Sequence, residues 1–441
     1  MARRSEYHTA PVPSGRLSRL LRMGSMAGGI ASGVAAGGVK SLAAGQKPKL
    51  ESLVFTPRNM TRLSTGLSQM RGAALKLGQM LSMDTGVVLP PELNALLAGM
   101  RDGAVAMPPK QLRNVLDRNW GQGWYKRFAH FDVRPFAAAS IGQVHRARTH
   151  DGRELAIKVQ YPGVRQSIDS DVDNLASLLR VSGVVPKELS LDEVLTEAKA
   201  QLHAEADYRA EATNLAMFQR LLSNSDRFVT PELELDLCTP QVLAMSYVQS
   251  APLETVQNEP QETRDMIAAS LIELVLQELF TFGTMQTDPN FANFRYVPET
   301  GQIVLLDFGA VKSFSLELQQ KFRTLAQAAL GGRHDEMRAA MLRIGYFAET
   351  TPEKYQAILL EMFDMAMTPI RQDAPYDFAA SDLMDRLRDR GLEIGSEREL
   401  THVPPADTLF LHRKIGGTYL MATMLGARVP LRPLVEKYCC E

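Results

Sequence analysis

Ile303-Val304-Leu305-Leu306-Asp307-Phe308-Gly309 reads as a hydrophobic strand that empties into a carboxylate and a glycine, and it is the last of three short elements met in one order. The first is Leu155-Ala156-Ile157-Lys158-Val159, an alternating β-type stretch that holds a lysine. The second is the loop Asp288-Pro289-Asn290-Phe291-Ala292-Asn293, with Asp and Asn five apart. Singly, none says much. A strand lysine is ordinarily an edge residue that deters aggregation, and an isolated Asp-Phe-Gly is frequent by chance. Together they are the parts that phosphoryl transfer needs: a fixed cation, a loop carboxylate beside the attacking group, and hard oxygen ligands for a divalent metal. A triphosphate carries about four negative charges for Lys158 and Mg2+ to neutralise, and Mg2+ favours oxygen donors such as Asp307 and Asn293.

The elements outward from this set agree with it. Phe128–Val133, Ser140–Arg148 and Glu154–Gln160 read as strands, the last two a hairpin across the Asp151-Gly152 turn. Two helices follow, the longer expected over Asp192–Leu222 and carrying Glu205, Asp207 and Glu211 on one helix. Phe228–Leu235 and Gln241–Tyr247 read as two more strands that complete a small sheet. Beyond Pro252 the pattern is helical, apart from an irregular loop at Met285–Asn293 and the strand Ile303–Leu306. Upstream, Leu63, Leu67, Met70, Ala74, Leu77 and Leu81 step by four and three along one helix. Lys76 and Gln79 share a face beside that stripe, with Gly78 allowing close approach; by itself such a lysine is a solvated flank.

The set is that of the protein-kinase fold, with two departures. Where a glycine-rich loop belongs, the chain has Ala137-Ala138-Ala139-Ser140-Ile141-Gly142. Each added Cβ disfavours positive φ and limits the approach of backbone amides to phosphate, so a more helical or more closed path is expected. The helix with Lys76-Leu77-Gly78-Gln79 is the second departure. With Glu205-Ala206-Asp207, these motifs resemble the UbiB/AarF-domain (ADCK) family of atypical kinases from about residue 50 to 437. Gln286-Thr287-Asp288-Pro289-Asn290-Phe291-Ala292-Asn293 and Phe410-Leu411-His412-Arg413-Lys414 look like the coenzyme-Q branch.

The resemblance implies an α+β, two-lobed kinase-like fold with an N-terminal helical extension over the cleft. The divisions expected are a basic Gly/Ala-rich arm over 1–49, a helical extension over 50–126, a kinase-like N-lobe over 127–250 and a helical C-lobe over 251–441. It implies ATP or ADP with Mg2+ as ligands, and an atypical kinase or ATPase supporting ubiquinone biosynthesis. In roles, Lys158 grips the α/β-phosphates and is held by Glu211, with Glu205 as the rival carboxylate. Asp288 is the base or orienting carboxylate, and Asn293 and Asp307 bind the metal. Ala137, Ala138, Ala139 and Ser140 cover the phosphates, and the hinge Met245–Val248, with Tyr247 in it, meets adenine through its backbone. Lys76 enters the space of a protein substrate, paired by Glu205 and Asp207 with Gly78 and Gln79 beside it, and blocks peptide phosphorylation. The alternatives are a nucleotide-switched scaffold or chaperone for lipid-modifying enzymes and a small-molecule phosphotransferase. A lipid or quinone precursor and ubiquinone-biosynthesis enzymes are the implied partners.

Composition sets outer bounds. The 441 residues carry 49 Lys+Arg against 50 Asp+Glu, with 45% hydrophobic content. That length gives two or three domains with ample core, and the balanced charge argues against a nucleic-acid binder. Three cysteines without CxxC spacing offer no disulfide framework, so a reducing compartment is expected, cytoplasmic or mitochondrial-matrix. No run of about 18 apolar residues spans a bilayer. The first fifty residues nevertheless hold eight Lys and Arg, from Arg3 to Lys49, against Glu6, and Gly29, Gly33 and Gly37 recur at every fourth position. This arm reads either as a segment meeting a membrane surface, peripheral to the inner membrane, or a partner helix, or as a flexible leader.

Overall fold

The computed structural model describes residues 106–139, 141–182, 191–395 and 404–440, with Ser32, Thr56 and Gly72 singly. The expectations for the arm, for the extension up to residue 105 and for Ser140 lie outside the described residues, Lys76, Gly78 and Gln79 among them. The chain falls into two compact units. One takes the described residues up to Thr213 together with Glu232–Tyr247, and the other takes Asn214–Pro231 and the chain from Val248 onward.

The first unit opens with α1 (Pro109–Trp120), started by a proline at its first position and burying Leu112, Val115, Leu116 and Trp120 at helical spacing. Then come β1 (Phe128–Phe131), β2 (Ala137–Ala138), β3 (Gly142–Thr149) and β4 (Glu154–Gln160), all antiparallel where they pair. β3 and β4 form the expected hairpin, register Arg148↔Glu154 to Gly142↔Gln160. Leu155, Ile157 and Val159 of β4 are buried with Trp120, Trp124 and Phe128 in one apolar cluster. Side chains alternate along a strand, so Ala156 and Lys158 belong to the opposite face.

Helices α2 (Val164–Ser182), α3 (Leu191–Glu205) and α4 (Tyr208–Leu221) follow. The long helix expected over Asp192–Leu222 is therefore two, and Glu205, Asp207 and Glu211 do not share one helix. The break is made by Asp207, whose Oδ1 accepts from Arg209 N at 3.2 Å and Ala210 N at 3.3 Å, the work of an N-cap. The strand expected over Phe228–Leu235 is corrected too. Only β5 (Phe228–Val229) is ladder, and it pairs in parallel within the second unit. Leu233 contributes an isolated bridge to Met245 of β6 (Val242–Ser246), which closes the first sheet on β4 in the order β1-β3-β4-β6.

The second unit surrounds α5 (Gln261–Gln277), buried at Ile267, Ala268, Leu271, Leu274 and Val275. Its sheet runs β5-β10-β9-β7, from β7 (Ala251–Pro252), β9 (Phe294–Val297) and β10 (Gln302–Leu305). β8 (Thr284–Gln286) pairs antiparallel with β11 (Val311–Ser313). The rest is α6 (Leu316–Leu330), α7 (His334–Ile344), α8 (Glu353–Met367), α9 (Leu383–Gly395), α10 (Ala406–Leu425) and α11 (Leu431–Cys439), with β12 (Tyr376–Asp377) paired to β13 (Arg428–Val429). Among the described residues no helix is long and apolar enough to cross a membrane.

Candidate nucleotide-handling residues

In the first unit, the face of β4 turned from the apolar cluster delivers Lys158. Its Nζ lies 2.7 and 3.0 Å from the two carboxylate oxygens of Glu211, and 5.1 Å from the centre of the Tyr208 ring. Glu211 sits in the first turn of α4, where the helix dipole favours a negative charge, and its N–H donates to Asp207 O at 3.0 Å. The Lys158 side chain is 12% exposed and that of Glu211 1%. The cap that breaks the helix therefore also starts the turn that presents the carboxylate. Glu205 ends α3, while Asp207 lies in the break with Oδ2 3.5 Å from Arg165.

The alanine stretch does not take a helical path. Ala137 and Ala138 are extended and pair with Val144 and Gln143, and Ala139 N donates to Gly142 O at 2.9 Å, closing a tight return. Alanine prefers helix, but pairing with the neighbouring strand β3 overrides that preference and holds the stretch extended. The return is narrow at Gly142: a Cβ there would lie 2.5 Å from Val159 O and 2.8 Å from Tyr208 Oη, so only glycine lets the two strands and α4 approach this closely.

Beneath it runs a fully satisfied relay. Met107 N donates to Gln143 Oε1, Gln143 Nε2 meets His145 Nε2, and His145 Nδ1 meets Asp132 O, each at 2.8 Å. Gln143 Nε2 can only donate, which makes His145 Nε2 the acceptor and Nδ1 the protonated nitrogen. Burial pushes the His145 pKa down to about 4 against the opposing pull of Asp132.

Of the expected hinge, Met245 lies within β6, and Ser246 N and Tyr247 N are committed to Glu232 O and Glu154 O at 2.7 and 2.8 Å. The Tyr247 ring is held by the Arg146 guanidinium at 4.2 Å and by the edge of Phe136. Val248 opens the second segment of the second unit.

In the second unit Asp288, Asn293 and Asp307 are brought together by the backbone. Thr287 N donates to Ala310 O at 2.8 Å and Leu306 N to Asn293 O at 3.0 Å, stitching the loop to the strand exit at both ends. Asn293 Nδ2 reaches Asp288 O at 3.1 Å and Oδ2 at 3.4 Å, and Asn290 caps the short turn between them through Ala292 N. Asp307 Oδ1 accepts from Gly309 N at 2.9 Å. Phe308 is buried against Phe218, and its carbonyl accepts from Asn214 Nδ2 at 2.9 Å.

With its amide nitrogen turned to Asp288, Asn293 has its oxygen left for other partners. Asp307 and Asn293 supply hard donors of the type Mg2+ takes. No group of three His, Cys, Asp or Glu able to hold a metal occurs among the described residues. A hard cation that takes one or two protein oxygens and completes its shell with phosphate and water fits this donor set; an all-protein metal cage does not.

Three residues here escaped sequence reading. Tyr208 was hidden because an aromatic after a helix break carries no motif. Glu278 and Lys414 form a buried ion pair in the second unit, 3.0 Å apart. A signal was present for Glu278, a single charge inside the apolar run Leu274-Val275-Leu276-Gln277-Glu278-Leu279-Phe280, whereas Lys414 was masked by its basic neighbours His412 and Arg413.

The ABC1 atypical kinase-like domain matches residues 99–341. Atypical kinase COQ8, mitochondrial, of Saccharomyces cerevisiae is 35% identical over 432 residues, 97% of this chain and 86% of the relative. Atypical kinase COQ8B, mitochondrial, of Rattus norvegicus is 36% identical over 427 residues, 96% of this chain and 80% of that one. Among solved structures, the complex of Rv3197 with erythromycin from Mycobacterium tuberculosis superposes with a TM-score of 0.58 at 25% identity, covering 86% of this chain and 95% of the other. The family resemblance and the mixed, kinase-like fold expected from the sequence are borne out, and the chain belongs to the ABC1/UbiB atypical kinase family.

Proposed function

We propose that this protein is an atypical kinase or ATPase that binds Mg-ATP or Mg-ADP and supports ubiquinone biosynthesis. The observation that carries the reading is the stitching of Asp288, Asn293 and Asp307 into one cluster by the Leu306–Asn293 and Thr287–Ala310 backbone bonds. The Lys158–Glu211 pair supplies a fixed ammonium of the kind phosphate binding needs.

In this reading Lys158 holds the α/β-phosphates and Glu211 keeps its ammonium in place. Asn293 and Asp307 hold Mg2+, which when bound neutralises charge on the phosphates. Asp288 orients the attacking hydroxyl or water and takes its proton; little basicity is required, because positioning and charge neutralisation dominate a loose transition state. Ala137–Ser140 cover the phosphates, and Met245, Tyr247 and Val248 line adenine. Lys76, with Gly78, Gln79, Glu205 and Asp207, excludes peptide substrates, leaving water, a lipid or a quinone precursor as acceptor. The COQ8 names of the relatives support the ubiquinone link, and their mitochondrial designation supports a matrix placement or, in a bacterium, a cytoplasmic one. The basic arm is the part assigned to a membrane surface.

Calorimetric titration with ATP and ADP in Mg2+ tests the binding half: Asp307→Asn weakens both, and affinity equal to the parent's discredits the metal assignment. Phosphate release measured with liposomes and quinone precursors tests turnover. Asp288→Asn lowers that rate; if it does not, the ATPase reading fails and a nucleotide-switched scaffold replaces it.

A further inference from the structure

Two ionisable side chains of the second unit are withdrawn from water: Lys414 of α10, 1% exposed, and Glu278, 0% exposed, the first residue of the π-turn Glu278–Phe282 that follows α5. Taking both ions out of water is costly, so such a pair persists where close geometry and further hydrogen bonds offset the loss. Here those bonds converge on one residue. Lys414 Nζ donates to Gln286 Oε1 at 3.1 Å, and Gln286 N donates to Glu278 Oε1 at 3.2 Å.

An ammonium only donates, so the amide oxygen of Gln286 must face Lys414 and the amide nitrogen must face away. That nitrogen donates to Asp288 O at 2.7 Å. At i+3 from Lys414, on the same face of α10, stands Gly417. A Cβ there would lie 2.3 and 2.4 Å from Cγ and Cβ of Pro289. Helix α10 therefore meets the Asp288 loop at two neighbouring points, one through a directed polar chain and one through close packing that a larger residue would prevent.

We infer that Lys414 is a positioning residue: with Glu278 it orients Gln286, which fixes the Asp288 carbonyl and so sets the path of the loop from Asp288 to Asn293. The kinetic consequence rests on the role proposed above for Asp288; the placement stands on the hydrogen bonds alone.

Lys414→Met combined with Glu278→Gln removes both charges at once and strands neither. In the full chain carrying this pair, hydrogen exchange of the backbone amides from Thr287 to Asn293 accelerates by about tenfold or more, while β9 and β10 keep parental rates. Turnover with Mg-ATP falls about tenfold to a hundredfold while the nucleotide Kd stays within about twofold of the parent's. Lys414→Arg, which retains a donor for Gln286, recovers most of the turnover. Gln286→Leu with Lys414 intact reproduces the loss, and adding it to the paired variant brings no further drop. Parental exchange in the loop of the paired variant overturns the inference; should that variant fail to fold, parental exchange in Gln286→Leu overturns it equally. A parent chain without nucleotide turnover overturns the proposed function instead, and the exchange comparison still decides the positioning role.

Discussion

Glu211 is a carboxylate with almost no access to water, and the Lys158 ammonium is what makes its charge tolerable. Lys158→Met removes the cation and leaves the anion behind. The variant should lose about 3–5 kcal/mol of unfolding free energy, read by urea denaturation. Pairing it with Glu211→Gln should restore much of that, because no isolated charge remains. A single variant within about 0.5 kcal/mol of the parent would show that the pair relaxes into solvent instead. The lysine could be picked out from its strand context, but its partner could not: Glu205 and Glu211 are both plausible when the helix is drawn as one piece. Only the cap at Asp207 separates them, and a short polar residue ahead of Tyr208-Arg209-Ala210-Glu211 was a capping signal available in the sequence.

At the scale of elements, β3 is held to its surroundings by the relay through Gln143 and His145, and this makes the first unit sensitive to acid. His145 is wholly buried and has a pKa near 4, against 6.5 for the free side chain. The unfolded chain therefore binds the proton more readily. The stability that the neutral ring contributes is complete above about pH 6.5 and is lost as pH falls toward 4, at up to about 1.4 kcal/mol per unit. Denaturation midpoints measured from pH 7 to 4 should fall more steeply for the parent than for His145→Gln. Equal slopes would assign the acid sensitivity to other groups.

Strands with clear alternation, β3 and β4, were legible almost residue for residue. β5, β7, β8 and β11 were not, since two or three residues cannot display a period and their pairing is decided by distant chain. The same reason explains the alanine return: its local propensity is helical, and the β3 amides and carbonyls beside it override that preference.

For the whole molecule, the chain crosses between its two units at 213/214, 231/232 and 247/248, and α4 itself carries the first crossing. A ligand that binds only the folded protein raises its stability by mass action, by about 2.7 kcal/mol at a hundredfold excess over Kd. Thermal unfolding with Mg-ATP should therefore shift upward for the parent and much less for Asp307→Asn, and EDTA should abolish most of the shift. A shift that survives chelation unchanged would argue for nucleotide binding without the metal. The motifs that carry the family resemblance lie in both units, and the fold class was legible through that resemblance. The buried ion pair lay beyond it because 136 positions of sequence separate its members, and no local pattern links residues that far apart.

The wide turn after α5 makes this protein sensitive to counting as well as to chemistry. Its i→i+5 closure accommodates one residue more than an ordinary helical turn. A single-codon deletion between Leu279 and Phe282 would only take up that extra residue and leave β8 in register, with Gln286 facing Val311 of β11, whereas a deletion just past the turn, at Gly283, would draw β8 one step along β11. In a ribbon of period two, one step reverses every side chain. Gln286 would then turn its back on Lys414, so an in-frame loss of Gly283, with every charged and polar group retained, should silence the loop as thoroughly as removing the lysine.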